Sequence, residues 1–448
     1  MDRVCVIGAG SSGIASCQVL AERGISFDCF ERGSEVGGNW RYLNDNGMSS
    51  AYSSLHINTS RRQMEYASYP MPDDYPDYPH HTQIAAYFDD YVDHFSFRDR
   101  ISFKTTVTSV APAAEGGWEV RTDDGGMRRY RAVLVANGHH WEPRWPEPPF
   151  PGSFDGVQMH AHDYRTSEGC EDRNVLVLGI GNSACDIAVE TSRVSSMTYL
   201  AMRRGAYVIP KYLNGHPTDE LGGGLASRLP LWVTRGLYGR ALRTAVGAPT
   251  DHGLPEPDHK LAEAHPTISS DLLPRIGHGR ITVKPNIERL EGSSVRFADG
   301  SVEGIEVIVY CTGYKIVFPF LSDDLVSAAD NRISLYRRMV DPDHEGLYFI
   351  GLIQPLGAIM PIAEEQSKWV ADLLLGDAVL PDRERMLAAI EKDDRRMAKR
   401  YVASKRHTIQ VDFLPYMRTI ERERKRGRRR AGGRRPERSH ELRVGVGS

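Results

Sequence analysis

The sequence predicts an α/β protein with two parallel-sheet domains, because a strand, a glycine-rich turn and a helix follow one another twice along the chain. The first strand is the apolar run Val4 to Ile7, and the second is Val175 to Leu178. Uninterrupted apolar runs of this length are typical of strands buried on both faces of a parallel sheet. A chain of 448 residues also exceeds what one hydrophobic core usually serves, so two or three domains are expected.

The first glycine-rich turn, Gly8 to Gly13, has the pattern GxGxxG and leads into a helix expected from Ser11 to Arg23. In a Rossmann-like unit such glycines let the backbone approach a pyrophosphate at the N-terminus of a helix. The next strand, Ile25 to Phe30, ends at Glu31. A carboxylate at this point accepts hydrogen bonds from ribose hydroxyls and repels a 2′-phosphate, so the first site favours FAD or NAD over NADP.

The second glycine-rich turn, Gly179 to Ala184, repeats the pattern with alanine in the third glycine position, which the fingerprint allows. The following strand, expected near Met197 to Met202, ends in Arg203 and Arg204 instead of an acid. Two guanidinium groups can pair bidentately with a 2′-phosphate. The second site therefore favours NADP(H).

The order of elements predicts that one nucleotide domain is inserted into the other. Strands are expected between the two turns and again after the second unit, at Ser102 to Val110, Trp118 to Thr122, Arg131 to Ala136, Ile281 to Leu290, Ser294 to Phe297, Val302 to Cys311 and Gly346 to Gly351. The prediction is an FAD-binding domain of residues 1–164 and 301–425, an NADP-binding domain of residues 165–300, and hinges near 163–173 and 313–314. The basic tail, residues 426–448, lacks apolar periodicity and is predicted to be disordered.

Composition excludes several classes of protein. No run of eighteen apolar residues occurs, so no membrane span is expected, and the first strand begins too early for a signal peptide. The six cysteines include no CxxC pair, which favours a cytoplasmic location and argues against a disulfide reductase. The basic tail has no interleaved aromatic residues, so no nucleic-acid partner is expected. The histidine pairs lack the spacing of a zinc site, and no metal is expected.

The segment from residue 154 to residue 164, FDGVQMHAHDY, matches the pattern FxGxxxHxxxY/F through Phe154, Gly156, His160 and Tyr164. Through this motif and both glycine turns the chain resembles the flavin-containing monooxygenases, over roughly residues 3 to 425. Similar stretches are Gly37 to Trp40, Asn58 to Ser60 and Thr312 to Tyr314.

The resemblance implies an enzyme that binds FAD and NADPH and uses O₂ to oxygenate a soft nucleophile, an amine nitrogen or a sulfide sulfur, through a C4a-hydroperoxyflavin. Its substrate would be a small molecule, as for the N,N-dimethylaniline monooxygenases, and dimers are frequent in the family. Because the cofactor supplies the chemistry, the chain needs no catalytic triad. Baeyer–Villiger relatives, which oxygenate ketones, typically carry tryptophan where this chain has Tyr164. That reaction, an NADPH oxidase or reductase-like flavoprotein, and a non-catalytic flavin-binding module remain the alternatives.

The turns and the resemblance together give the candidate site residues. Asn58 matches the active-site asparagine of the family, expected to contact both nucleotides. The candidates for FAD are Gly8, Ala9, Gly10, Ser11, Ser12, Gly13, Glu31, Asn39, Trp40, Asn58 and Thr59. The candidates for NADP are Ile57, Asn58, Gly179, Gly181, Asn182, Ser183, Ala184, Cys185, Asp186, Arg203 and Arg204. Asn39 departs from the leucine common in the family.

Two further predictions concern residues outside the turns. His160 and Tyr164 are expected to pack or hydrogen-bond in the linker between the domains. The run of Tyr66, Tyr69, Tyr75 and Tyr78, with interspersed prolines, predicts a rigid surface loop or the border of the substrate access route.

Overall fold

Two five-stranded parallel sheets form the centre of the computed structural model, which describes residues 2–221, 231–401 and 408–432. The first sheet has the strand order Leu347–Phe349, Ala132–Val135, Val4–Ile7, Phe27–Phe30 and Ile101–Ser102. The second sheet has the order Val157–His160, Val307–Tyr310, Asn174–Leu178, Met197–Ala201 and Ile281–Lys284. Each predicted fingerprint strand is the central strand of its sheet, and the α/β fold with two Rossmann-like units is confirmed.

The helices of the described residues are numbered in chain order. They are α1 Ser11–Glu22, α2 Arg61–Met64, α3 His81–His94, α4 Asn182–Thr191, α5 Leu231–Val246, α6 Leu272–Gly277, α7 Met360–Leu374, α8 Arg383–Arg400 and α9 Phe413–Gly432. Helices α1 and α4 follow the two glycine turns, as predicted. Helix α1 packs against α7, where the Ser16 and Ser367 hydroxyls lie 3.0 Å apart.

Smaller sheets flank the two parallel ones. An antiparallel sheet joins Val107–Pro112, Trp118–Thr122 and Met127–Tyr130. A four-stranded sheet joins Val302–Gly304, Ser294–Phe297, Ile287–Gly292 and Gly152–Phe154. The remaining pairs are Glu142–Pro143 with Tyr314–Lys315, Val208–Ile209 with Thr267–Ile268, Tyr212–Leu213 with His216–Pro217, and Gln354–Leu356 with Gln410–Asp412.

The predicted boundaries of the inserted domain, residues 165 and 300, were too narrow. Val157–His160 and Val307–Tyr310 are strands of the second sheet, where each pairs in parallel with a neighbour. Val307–Tyr310 is buried on both faces and needs a parallel strand on each side. The predicted single strand Val302 to Cys311 is therefore two strands in different sheets, a division that the apolar pattern alone does not contain.

The chain crosses between the two units at paired segments. Glu142–Pro143 on the way out pairs antiparallel with Tyr314–Lys315 on the way back. The predicted hinge near residues 313–314 coincides with the second of these segments. The predicted hinge near residues 163–173 was wrong, because it lies between two strands of the second sheet.

The tail prediction was wrong for residues 426–432, which continue helix α9. Arg424 and Arg428 of this helix donate hydrogen bonds to the fully buried carboxylate of Asp372, at 3.1 and 2.9 Å. Arg430 donates to Glu423 at 2.9 Å. Ion pairs with buried acids, rather than apolar periodicity, fix this part of the helix. Residues 433–448 lie outside the described residues.

The tyrosine run lies in a loop with several exposed residues, but two of its rings, Tyr66 and Tyr78, are buried, while Tyr69 and Tyr75 are partly exposed. The Tyr66 ring is fully buried between Tyr87 and Tyr91 of α3, with ring centroids 5.8 and 4.5 Å away. Its hydroxyl donates to the carbonyl oxygen of Ser11 at 2.5 Å, so this segment supports the start of α1. Tyr78 is also buried, and it lines a large cavity between the two units.

Candidate functional site

The first glycine turn is too tight for side chains. Gly8 has a φ of +96°, which a residue with a Cβ rarely adopts. A Cβ built on Gly13 would lie 1.8 Å from the carbonyl oxygen of Gly8. The strand, turn and helix can therefore close on one another only with glycine at both positions. This leaves the N-terminus of α1 open toward the cavity, where Gly10, Ser11 and Ser12 form part of the wall.

Glu31 stands at the end of strand Phe27–Phe30, as predicted, and its carboxylate is held in place by the backbone. It accepts hydrogen bonds from the N–H of Ala9 at 2.7 Å, the N–H of Gly33 at 2.8 Å and the side-chain amide of Asn46 at 3.2 Å. Only 4% of Glu31 is exposed, and that part faces the cavity beside the glycine turn. A fixed carboxylate here suits the hydroxyls of an adenosine ribose.

The second glycine turn has the same construction. Gly179 has a φ of +135°, and a Cβ on it would lie 2.7 Å from the carbonyl oxygen of Cys311. The Asn182 side chain accepts a hydrogen bond from the N–H of Ile268 at 2.7 Å, which ties the start of α4 to a neighbouring strand. Arg203 and Arg204 follow strand Met197–Ala201 with exposed side chains, and Arg204 lies 3.4 Å from Asp258. Both arginines line the second cavity.

Two cavities, of about 1270 and about 1720 Å³, begin at the two glycine turns and meet between the units. The first contains the Gly8 turn and Glu31, and the second contains the Gly179 turn, Arg203 and Arg204. Ten residues line both: Asn39, Trp40, Leu55, Asn58, His139, His140, Asn182, His265, Pro319 and Gln354. Asn58, predicted to contact both nucleotides, therefore lies where the two cavities join.

The structure brings most of the predicted residues to these cavities. The first is lined by Gly8, Gly10, Ser11, Ser12, Glu31, Asn39, Trp40, Asn58 and Thr59. The second is lined by Gly179, Gly181, Asn182, Ser183, Ala184, Arg203 and Arg204, and also by His160. Ala9, Gly13, Ile57, Cys185 and Asp186 are not among the lining residues. Ile57 and Cys185 are fully buried, because their side chains belong to the hydrophobic clusters of the two units.

Asp186 was predicted to contact NADP, but it is not among the residues that line the second cavity. Its carboxylate accepts a hydrogen bond from the Tyr52 hydroxyl at 2.5 Å. Burial raises the pKa of this carboxyl group to about 6. Asp186, predicted to contact NADP, thus contacts Tyr52 of the first unit in the structure.

The motif residues 154 to 164 include Val157–His160, an edge strand of the second sheet. A Cβ on Gly156 would lie 2.3 Å from the carbonyl oxygen of Glu306 and 2.7 Å from the Phe154 ring, so only glycine fits. His160 ends its strand, fully buried, with its ring centroid 5.4 Å from that of Tyr314, and burial lowers the pKa of its imidazole to about 4. Tyr164 packs edge-on against Tyr52 at 6.2 Å. His160 and Tyr164 thus pack at the junction of the units, although both belong to the second.

Several cavity residues were not among the predicted ones. Lys211 lies 4.8 Å above the Tyr78 ring, and burial lowers the pKa of its ammonium group. The Asp219 carboxylate accepts hydrogen bonds from the N–H and the hydroxyl of Ser60, at 2.7 and 3.0 Å. His139 lines both cavities, and burial lowers its imidazole pKa. The Gly-His-His sequence was a visible signal for His139, but no spacing in the sequence relates Lys211 or Asp219 to the glycine turns.

Two observations test whether these residues fit two dinucleotides. Each glycine turn is cleared of side chains at the N-terminus of a helix, where backbone N–H groups favour a pyrophosphate. Each cavity is large enough for a nucleotide cofactor, and the first has further room beyond the glycine turn. The residues fit FAD in the first cavity and NADPH in the second. Among residues 2–221, 231–401 and 408–432, no His, Cys, Asp and Glu side chains form a group that could hold a metal.

Comparison with known families shows to which family the chain belongs. The model of the flavin-binding monooxygenase-like family matches residues 1–425. The chain belongs to this family. Flavin-containing monooxygenase 5 of Mus musculus is 39% identical over 93% of this chain and 82% of its own length, and that of Homo sapiens is 40% identical over 93% and 81%. Dimethylaniline monooxygenase [N-oxide-forming] 2 of Oryctolagus cuniculus is 35% identical over 93% and 81%.

Solved structures of flavin monooxygenases share the fold. The S-allyl-L-cysteine S-oxygenase of Allium sativum superposes with a TM-score of 0.71 at 25% identity, covering 98% of this chain and 94% of its own. The closed crystal structure of cyclohexanone monooxygenase has a TM-score of 0.73 at 16% identity, covering 95% and 98%, a likeness of fold alone. This flavin-containing monooxygenase uses FAD and NADPH, as the family does. No helix within the described ranges is long and apolar enough to cross a membrane.

Proposed function

We propose that this flavin-containing monooxygenase oxygenates a soft nucleophilic heteroatom, an amine nitrogen or a sulfide sulfur, of a small apolar molecule. The observation that carries the proposal is the junction of the two cavities at Asn39, Trp40 and Asn58. Electrons from NADPH and an oxygen atom from O₂ are needed at one place, and this junction is open to both nucleotide sites. When bound there, the reduced flavin activates dioxygen for transfer of one oxygen atom.

The chain's own residues have binding and shielding roles in this proposal. The Gly8 to Gly13 turn would hold the FAD pyrophosphate, and Glu31 the ribose hydroxyls. The Gly179 to Ala184 turn would hold the NADPH pyrophosphate, and Arg203 and Arg204 the 2′-phosphate. Asn58 is the one catalytic residue we assign, as a hydrogen-bonding group toward both nucleotides at the reacting centre. Domain assignment follows the same division, FAD with the first sheet and NADPH with the second.

The walls of the first cavity beyond the glycine turn support an apolar substrate. They carry aliphatic and aromatic side chains from both units, namely Ile209, Leu213, Leu237, Tyr238, Leu261, Ile268, Ile359, Phe413 and Leu414. Such a lining holds a thioether or a neutral amine better than a highly charged molecule. The cavity wall also contains Lys211 and Asp219, which can orient a polar group of the substrate.

A substrate panel tests the reaction class. FAD-loaded protein is incubated with NADPH in air and a thioether, a tertiary amine, indole or a simple ketone, and products are identified by mass spectrometry beside NADPH and peroxide assays. We expect sulfoxide or N-oxide in proportion to the NADPH consumed. An ester or lactone from the ketone as the main product would favour the Baeyer–Villiger alternative. Stoichiometric peroxide without any oxygenated product would contradict both.

Two further proposals concern the cellular compartment and the oligomeric state. The six cysteines are free thiols and five of them are buried, which fits a reducing compartment, and we assign the protein to the cytoplasm. The homodimer that the family resemblance implies stays a prediction. Size-exclusion chromatography with light scattering measures it directly.

A further inference from the structure

Tyr52 connects the two units through a single short hydrogen bond. Its hydroxyl donates to the Asp186 carboxylate at 2.5 Å. Tyr52 belongs to the segment that leads to Asn58, whereas Asp186 lies in the first turns of α4, directly after the second glycine turn. The Tyr52 ring is buried in the hydrophobic cluster of the second unit, although its backbone precedes the second sheet by a hundred positions in the chain.

Neighbouring contacts hold the same segment on the second unit. The N–H of Ser53 donates to the carbonyl oxygen of Arg165 at 2.8 Å, and the Arg165 side chain donates back to the carbonyl oxygen of Ser49 at 3.1 Å. The Ser54 hydroxyl donates to Glu190, one helical turn beyond Asp186 on α4. Tyr52 and Ser54 therefore bind two acids, spaced i and i+4, on one face of the helix that begins at the NADPH turn.

We propose that the Tyr52–Asp186 hydrogen bond is a positioning contact that sets the second glycine turn relative to Asn58, and hence NADPH relative to FAD. Asp186 lines neither cavity, whereas Tyr52 forms part of the wall of the second. The hydrogen bond therefore acts through α4 on one side and through the segment of residues 52–58 on the other. Hydride transfer depends steeply on the distance between the two reacting rings, and a displacement of about 1 Å can slow a reaction roughly a hundredfold. The inference rests on the proposed function for the assignment of the two nucleotides.

Burial acts most strongly on the Asp186 carboxyl group and disfavours its charged form, and the Tyr52 hydroxyl and Lys211 offset part of this effect. Lys211, Glu190 and Asp271 act on its carboxylate by charge, and the Tyr52 hydroxyl is the hydrogen-bond donor that the structure places on it. Removing that hydroxyl would leave a buried carboxylate beside a second acid, and α4 would shift to reach water or Lys211. The Tyr52 ring itself can stay in place, because it packs on Tyr164.

Tyr52→Phe tests the proposal, since it removes the hydroxyl and keeps the ring. Flavin reduction by NADPH is followed by stopped flow without oxygen and without substrate, and NADP⁺ binding to the FAD-loaded protein by calorimetry. We expect reduction to slow roughly ten- to hundredfold at saturating NADPH. We also expect faster amide hydrogen exchange in residues 53–58, with FAD content unchanged. Reduction and exchange both at wild-type rates would overturn the proposal.

Tyr199→Phe is the matched control, because the Tyr199 hydroxyl donates to Glu303 at 3.0 Å within the second unit. It should leave reduction unchanged. Asp186→Asn keeps an oxygen acceptor for Tyr52 and should reduce at close to the wild-type rate, whereas Asp186→Ala should match Tyr52→Phe. If Tyr52→Phe does not fold, the Asp186 pair decides: equal rates for Asn and Ala contradict the proposal. Wild-type protein that is reduced by NADPH yet oxygenates nothing would contradict the proposed function alone.

Discussion

The carboxylate of Glu31 accepts a hydrogen bond from the backbone N–H of Ala9 at 2.7 Å. The residue that ends strand Phe27–Phe30 therefore holds the glycine turn that follows the neighbouring strand, Val4–Ile7. The same side chain that would bind the ribose thus also holds the turn that would bind the pyrophosphate. FAD affinity and local stability are coupled at this residue.

Glu31→Gln should therefore lose FAD. Glutamine has one acceptor oxygen where Glu31 uses two, and its NH₂ group would face the N–H of Ala9 or of Gly33. We expect FAD to bind about 10- to 100-fold more weakly, since a hydrogen bond to a charged group contributes about 1.5–3 kcal/mol. The ratio of flavin to protein absorbance after desalting measures the loss. Glu35→Gln, at an exposed carboxylate, is the control, and equal retention of FAD in both variants would refute the coupling.

Asn58→Ala should keep both cofactors but waste NADPH. The residue lies where the cavities meet, and its amide is the polar group that we assign to the reacting centre. We expect the yield of oxygenated product per NADPH to fall about tenfold or more, as for loss of a polar group that stabilises a transition state. Parallel assays of NADPH, peroxide and sulfoxide give this ratio. A variant with wild-type coupling would exclude a catalytic role.

The double variant Arg203→Ala, Arg204→Ala should lose preference for NADPH over NADH. Both guanidinium groups are exposed at the end of strand Met197–Ala201, and two charge-assisted contacts to a 2′-phosphate are worth several kcal/mol together. We expect kcat/KM for NADPH to fall about 100-fold while that for NADH changes little. Arg289→Ala removes an exposed arginine from another strand of the same unit and should change neither value.

Gly156→Ala should destabilise the second unit. The new methyl group would lie 2.3 Å from the carbonyl oxygen of Glu306, in the backbone that leads into strand Val307–Tyr310. Overpacking against backbone costs about 1–3 kcal/mol, which lowers the melting temperature by several degrees. Gly304→Ala is the control, because its added Cβ meets no atom within 4 Å. Equal melting temperatures for the two variants would contradict this prediction, because the backbone at Gly156 would then accommodate the added methyl group.

Asp186 should make stability depend on pH. Its pKa is raised by burial from the ordinary value of 3.8 to about 6 in the folded chain, so folding favours the protonated acid. Its contribution to stability is then most favourable below pH 4 and is lost as the pH rises toward 6, by up to about 3 kcal/mol. Asp186→Asn does not titrate. The melting temperature of this variant minus that of the wild type should increase between pH 4 and pH 7, and a constant difference would contradict the shift.

Local sequence determined both nucleotide units. Each unit begins with an apolar strand, Val4 to Ile7 or Val175 to Leu178, followed by a glycine turn and a helix. The turns require glycine because a Cβ there would collide with the backbone. The charge of Glu31 against that of Arg203 and Arg204 is equally local, because each residue ends the strand next to its own turn. Residues 154–164 indicated the family, because its motif is defined by particular residues at fixed spacing.

Tertiary structure decided where the units end and how they meet. Strand Val307–Tyr310 is assigned to the second sheet by its parallel neighbours, and no apolar pattern states which neighbours a buried strand will have. Helix α9 extends past residue 426 because Asp372, more than fifty positions earlier, is buried against its arginines. Asp186 accepts a hydrogen bond from Tyr52, more than a hundred positions earlier, for the same reason. Pairings between distant residues depend on the packing of the whole chain, whereas turns and strand ends depend on their immediate neighbours.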